Sequence, residues 1–456
     1  MPATLRKTSL IGVCALLLAA IVLVSGKPAK AQGLIRDTEI EHIIKIYSTP
    51  IFQSAGLSPN AIRVFLINNR QLNAFVTPGQ RMFIHTGLLQ SSDTAEQVIG
   101  VIAHESGHLA GGHTVRIIDE SREAGLKALA ADALGIIAAL ASGQPGAAGA
   151  ISSAGRDVAL RDLLSYSRTQ ESAADQAAVS YLKSVEMSPR GILEFMQIIS
   201  NQEALLGANQ DPYLRTHPLT RDRLTFLEQQ LANSPYRDRP PDPRLQALHE
   251  RMRAKLIGFL EPARQVKRTY PQDDQSLPAQ YARAISAYRN GQIDEALAGI
   301  GRLIEENPND PYFYELRGQI LYENQRAPEA LPDYTKAVEL LPREPLLHLA
   351  LARVQIALNQ PELDEAALEN LSIVVTRERE NSEAWRLSSI ANSRLGRTGE
   401  TAISTAEWHL ARRNWRESLA HAERAQRLLP EGSSGWLRAL DIAGIAERNA
   451  RRQENR

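Results

Sequence analysis

The chain of 456 residues has room for two to four domains. Its 43% apolar and 23% charged residues exclude a mostly disordered, collagen-like or polytopic membrane protein. Lys plus Arg and Asp plus Glu are both 52, so no basic excess points to nucleic acid. The single cysteine, Cys14, lies in an N-terminal apolar run. A chain that has lost this run has neither a disulfide scaffold nor a cysteine nucleophile.

Arg6 and Lys7 precede an uncharged stretch over 8–26, and Ala29-Lys30-Ala31 follows as a small-x-small cleavage pattern. Residues 1–31 therefore read as a signal peptide, with a mature chain from Gln32. An uncleaved anchor is the rival reading, because the run is close to the roughly 18 residues that begin to span a bilayer. Export is expected, and the periplasm is the expected compartment, with the chain soluble or peripherally membrane-associated.

Residues 32–260 mix short strands with helices. Val64-Phe65-Leu66-Ile67 and Arg81-Met82-Phe83-Ile84 are strand-like, with turns at Asn68-Asn69 and Thr77-Pro78-Gly79. A helix follows, opened by Asp93 with Glu96 three residues on as a variant capping box. Its apolar residues Val98, Val101, Ile102 and Leu109 recur at helical spacing. Another helix is expected over 160–183 and one more over 244–260. The proline-bearing segment 261–276 reads as a linker. From 277 to 456 small residues and prolines recur 34 residues apart (Ala296 and Ala330, Pro308 and Pro342, Ala284 and Gly318), a period that resembles the tetratricopeptide pattern and predicts an all-α solenoid. An apparent insertion over 360–365 breaks the register.

The chemistry is expected at His104-Glu105-Ser106-Gly107-His108. Histidines at i and i+4 lie about 40° apart around a helix, so both imidazoles can reach one ion. Glu105 points sideways, where it can act on water instead of ligating. A zinc ion with three protein ligands and one open site brings its water to a pKa of roughly 7, and Glu105 would take that proton as water attacks a peptide carbonyl. Two readings compete for the third ligand. Gly111 fits a longer histidine motif, but His113 comes one residue early, which turns it by about 100° on a helix. It reads as a residue packed beside the site. Glu171 is the better candidate, and Asp175, one turn further on, could accept the free N–H of a ligand histidine. Ala174 and Ala178 would let two helices approach closely. On spacing alone, Glu and Asp at i and i+4 are more often solvated surface charges, so the constellation and not the pair carries the reading.

Taken together, His104-Glu105-x-x-His108, Glu171-x-x-Ala174-Asp175, Asn73-Ala74-Phe75 and Thr216-His217-Pro218 resemble the M48 family of zinc metallopeptidases, which are gluzincins. The resemblance covers roughly residues 35–260, and with the repeats behind it the architecture is similar to the periplasmic β-barrel assembly-enhancing proteases. It implies an α+β gluzincin-type domain, mostly helical with a small sheet, followed by the solenoid. It also implies one Zn2+ per chain held by His104, His108 and Glu171, with Glu105 as base. His217 would sit over the metal, stabilising the oxyanion or closing the open position as a latch. Asn73, Ala74 and Phe75 would lie on an edge strand that pairs with extended substrate.

The uncharged stretch 133–155, apolar at first and then broken by Gly143, Pro145, Gly146 and Gly149, reads equally as a plug over the cleft or as a core helix with a loop. Two functions from different classes are expected. The first is a zinc endopeptidase acting on unfolded or misassembled proteins in outer-membrane quality control, with the repeats meeting the assembly machinery. The second is a chaperone or assembly scaffold whose peptidase is mostly latent. Nucleic acid is not an expected partner, and peripheral membrane contact is compatible with either.

Overall fold

The computed structural model describes residues 33–115, 168–206 and 217–454. The expected signal peptide, residues 160–167 of an expected helix, Thr216 and the stretch 133–155 lie outside these residues. Among them, four strands form one sheet, β1 (Leu34–Ile35), β2 (Arg63–Ile67), β3 (Ala74–Thr77) and β4 (Arg81–His85), in the order β1-β2-β4-β3. β1 and β2 are antiparallel, β2 and β4 parallel, and β3 and β4 antiparallel. The two-residue alternation of a strand divides the side chains between the faces. Leu66, Ala74, Val76, Met82 and Ile84 join the helical core, while Phe65, Phe75 and Phe83 stack on the other face with ring centroids 5.0 Å apart.

The helices of this half are α1 (Thr38–Ser54), α2 (Thr86–Ser91), α3 (Ala95–Ala110), α4 (Arg168–Ser184), α5 (Arg190–Leu206), α6 (Arg221–Ala232) and α7 (Pro243–Leu260). Helix α3 lies in the centre of their core, with Val98, Val101 and Ile102 buried among residues of α1, α4 and α5. Its cap differs from the sequence expectation by one residue. Thr94 is the N-cap, its Oγ1 accepting from Gln97 N–H, and the Gln97 side chain accepts from Asp93 N–H in return. Gln97 rather than Glu96 stands three residues after the cap, and its return bond goes to the N–H of Asp93, one residue before that cap.

The segment 261–276, expected as a linker, contains a short helix, α8 (Ala263–Thr269), with Val266 buried against Ala254, Ile257 and Ala282. Pro262 stands at its N-cap and Pro271 beyond its end, so these prolines bound a helix that the composition alone read as a connection. The repeats follow as helix pairs: α9 (Leu277–Arg289) with α10 (Ile293–Glu306), α11 (Pro311–Glu323) with α12 (Ala327–Leu340), α13 (Pro345–Ala357) with α14 (Pro361–Arg377), α15 (Ser382–Arg394) with α16 (Thr398–Ala411), and α17 (Trp415–Leu428) with α18 (Ser434–Glu454). The register breaks where expected because α14 has 17 residues against 14 in α10 and α12. The extra turn belongs to the second helix of its unit and is no separate insertion.

The two halves are joined by buried charge. Helix α7 packs on α1 and α3 and far more extensively on α9. Its Lys255 Nζ lies 2.8 Å from Asp37 and 3.2 Å from Glu39 at the start of α1. Its Arg251 pairs with Glu39 and with Asp310, which also caps α11. Tyr281 of α9 donates to Glu39 over 2.9 Å, and Thr38 donates to Glu315 of α11 over 2.5 Å. Ions this far from water hold position only when paired and hydrogen-bonded, so the repeats are fixed to the first half by this network.

Burial pushes the Glu315 carboxyl up to about 7. Lys255 and the Thr38 hydroxyl pull the other way, while Asp37 and Glu39 add to the rise. An acid whose folded pKa is raised keeps its proton longer in the folded state. Stability therefore falls as pH climbs from the unfolded value near 4.5 through about 7. The cost above that window is on the order of 3 kcal/mol. Urea unfolding of Glu315→Gln from pH 5 to 8 should show a flatter pH dependence than the wild type; equal slopes would contradict this account.

Candidate metal centre

Helix α3 carries His104, Glu105 and His108, all fully buried. The two histidines, one turn apart, bring their Nε2 atoms to 3.1 Å. Helix α4 presents Glu171 and, one turn on, Asp175, both fully buried. The helices approach at Gly107 and Ala174. A Cβ on Gly107 would stand 2.9 Å from Ala174 Cα and 3.0 Å from its carbonyl oxygen, so a residue inside the histidine motif must be this small for α4 to reach it. Glu171 then lies 3.5 Å from His104 Nε2 through Oε2 and 3.3 Å from His108 Nε2 through Oε1.

These separations can be tested against an ion. Ligand atoms on a tetrahedral zinc with bonds of roughly 2.0–2.1 Å stand about 3.3 Å from one another; the 3.1 Å between the two Nε2 atoms and the 3.3 Å from His108 to Glu171 Oε1 match this, while His104 meets the other oxygen of Glu171. His217 brings a fourth donor, so that one ligand atom from each of His104, His108, Glu171 and His217 lies within 4.8 Å of the others. Its Nδ1 is 3.0 Å from Glu171 Oε1, and its ring centre is 5.3 Å from both other imidazoles. Imidazole and carboxylate donors suit zinc. Glu105 stands beside this group with His217 Nε2 at 3.4 Å, and neither of its oxygens accepts a hydrogen bond among the described residues.

The surroundings orient the cluster. His104 Nδ1 is 2.9 Å from Asp175 Oδ1, the contact that fixes a ligand histidine's tautomer. Arg223 was not singled out from the sequence, yet it closes the arrangement. Its Nε and Nη2 donate to the two oxygens of Asp175 over 2.6 and 2.9 Å, its Nη1 lies 2.6 Å from Glu171 Oε2, and the same nitrogen donates to Pro218 carbonyl. It sits in the first turn of α6, where Thr220 Oγ1 accepts its backbone N–H. Charge balance was the available signal: two buried carboxylates require a buried cation, although spacing does not say which one. His113 stays outside the four-donor group and meets His108 from behind, Nδ1 to Nδ1 over 2.9 Å.

Electrostatics divide the site. Burial opposes ionisation of Glu171, but His217, His104 and His108 overcome it and hold its carboxyl well below the usual range. Burial likewise opposes charge on Asp175, and Arg223 and His104 lower it nonetheless. His104 is discharged by burial but raised by Asp175 and Glu171, and ends near 9. Burial and the His104 charge keep His108 well below the ordinary histidine value despite Glu171. Glu105 is pushed by burial up to about 7 against His217 and His104.

The residues expected to bind substrate are apart from this group in character. Asn73 is buried and its carbonyl accepts from His85 N–H. Ala74 begins β3 and faces the main core, and the Phe75 ring is committed to its stack on Phe83. Among the described residues, β4 is the one strand that pairs with β3.

Because a Cβ at Gly107 would meet the backbone of Ala174, Gly107→Ala should lower stability by about 1–3 kcal/mol through overpacking. Thermal unfolding of the metal-free protein checks this, and an unchanged midpoint would mean that the helices have slack at that point.

The family model described as peptidase family M48 matches residues 35–231, and a tetratricopeptide repeat model matches residues 281–345. The chain is 27% identical over 384 residues to the beta-barrel assembly-enhancing protease of Escherichia coli (strain K12), covering 82% of this chain and 76% of that one. It is 24% identical over 407 residues to the putative beta-barrel assembly-enhancing protease of Vibrio cholerae, covering 88% and 83%. A mitochondrial metalloendopeptidase of Schizosaccharomyces pombe is 24% identical over 181 residues, covering 40% of this chain and 50% of that one.

Proposed function

From a chain that carries a peptidase family M48 domain followed by tetratricopeptide repeats, we propose an exported zinc endopeptidase that cleaves unfolded or misassembled proteins. The observation that carries the reading is the buried convergence of His104, His108, Glu171 and His217 beside Glu105. His104, His108 and Glu171 would hold one zinc per chain. When bound, the ion supplies Lewis acidity, polarising the scissile carbonyl and making water acidic near neutral pH.

The chain's own residues do the rest. Glu105 takes the proton of the attacking water and returns it to the departing amine nitrogen. Its lack of hydrogen-bond partners among the described residues supports this role, because a carboxylate tied into the structure could not turn toward water. Asp175 and Arg223 keep His104 and Glu171 in orientation. The outer edge of β3 from Asn73 to Phe75 pairs with an extended substrate through main-chain hydrogen bonds, a role for the backbone and not for the Phe75 ring.

His217 supports a second reading. A fourth donor this close to the other three favours a latch that closes the open position over a role confined to stabilising the oxyanion, and so favours an enzyme held latent until substrate displaces it. The relatives' name, beta-barrel assembly-enhancing protease, agrees with periplasmic work on outer-membrane proteins, the repeats meeting the assembly machinery. No helix among the described residues is long and apolar enough to cross a membrane.

Glu105→Gln keeps the ligands and removes the base. Cleavage of an unfolded protein substrate should fall by about 10²–10⁴-fold while zinc content stays at the wild-type level. Wild-type cleavage rates in that variant would refute the assignment of the base.

A further inference from the structure

Past the second histidine of the motif, the chain does something that metal binding alone does not explain. Helix α3 ends at Gly111, Gly112 takes the left-handed conformation at φ +65°, and the backbone turns so that His113 is buried again. The His113 ring folds back over Gly111 so closely that a Cβ there would lie 2.5 Å from His113 Nε2 and 2.9 Å from two ring carbons. It meets His108 edge to face, centroids 5.0 Å apart and planes at 76°, with the two Nδ1 atoms at 2.9 Å. Two glycines thus make room for one imidazole to reach the rear nitrogen of another. Gly111 leaves space for the ring, and Gly112 supplies a backbone angle that other residues adopt only at a cost.

A contact of 2.9 Å between ring nitrogens needs one donor and one acceptor. His108 turns Nε2 toward His104 and Glu171, and that nitrogen can bind an ion only through its lone pair. The proton of neutral His108 must then sit on Nδ1, and His113 Nδ1 must be the acceptor, with its own proton on Nε2.

We propose that His113 is the positioning residue for His108: its Nδ1 accepts the Nδ1 proton of His108 and holds that imidazole in the tautomer whose Nε2 lone pair faces the metal group. This deepens the zinc reading above and rests on it. The two histidines of the motif are then oriented differently, His104 by the carboxylate of Asp175 and His108 by a neutral ring. This also explains why a histidine one residue out of phase for ligation is nonetheless buried beside the site.

The test compares His113→Gln, whose side-chain oxygen can still accept, with His113→Leu, which cannot. Zinc affinity, measured by competition with a chromophoric chelator, should fall about 10–100-fold in the Leu variant and be largely restored by Gln, with the metal-free thermal midpoints alike. Equal affinity in all three proteins, or an equal loss in both variants, would overturn the proposal in favour of plain packing. Nitrogen-15 spectra of the histidine rings in metal-free protein give an answer independent of zinc. His108 should carry its proton on Nδ1 in the wild type and in the Gln variant and lose that preference in the Leu variant. A proton on Nε2 in the wild type would refute the role of His113, whereas wild-type protein with the expected tautomer that binds no zinc would count against the metal reading alone.

Discussion

Two helices cross with their backbones nearly touching at Gly107 and Ala174, and the site depends on that crossing. Helix α3 can supply two imidazoles from one face by its own periodicity, but it cannot supply the carboxylate. Glu171 must come from a second helix that stands close and in the right rotation. A side chain at Gly107 would hold α4 away, and Glu171 would no longer stand within 3.5 Å of both histidines. The same approach brings Asp175 behind His104, because it lies one turn beyond Glu171 on the same face.

The charges gathered at this crossing are fully buried, so they must balance one another. Glu171 and Asp175 are met by Arg223, which reaches both from the first turn of α6. The arginine ties the segment after His217 to the helices that carry the other donors, and it shares that segment through the Pro218 carbonyl. Orientation of three of the four donors is thereby delegated to a neighbour: Asp175 for His104, Arg223 for Glu171, and His113 for His108. A buried network repays its desolvation only when its members are satisfied together. The site therefore has to be assembled as a unit. A second buried network, around Glu39, Arg251 and Lys255, obeys the same rule where the repeats dock.

Much of this was legible in the sequence because short-range periodicity carries it. The spacing of His104 and His108, the one-turn spacing of Glu171 and Asp175, the apolar stripe of α3 and the repeat period each follow from helix geometry. What was not legible depends on tertiary pairing. Arg223 looks like any exposed arginine near a helix start until the carboxylates of α4 are laid beside it. Strand β1 is two residues long and has no pattern of its own, existing only because β2 offers an edge. The helix at Ala263–Thr269 was hidden by flanking prolines that usually mark a connection. The cap of α3 moved by one residue because Gln97 could return the bond to Thr94's neighbour and Glu96 could not. For His113 the phase argument against ligation agrees with its position, but the left-handed turn at Gly112 that brings it back to His108 is a backbone event that helical spacing does not encode.

The central claim is that a carboxylate carried across a helix crossing completes the metal site begun by the histidine motif. Elemental analysis of the mature protein, wild type beside Glu171→Ala, tests it most directly. About one zinc per chain in the wild type, lost in a variant that stays folded, is the predicted result. Full zinc retained without Glu171 would contradict the account.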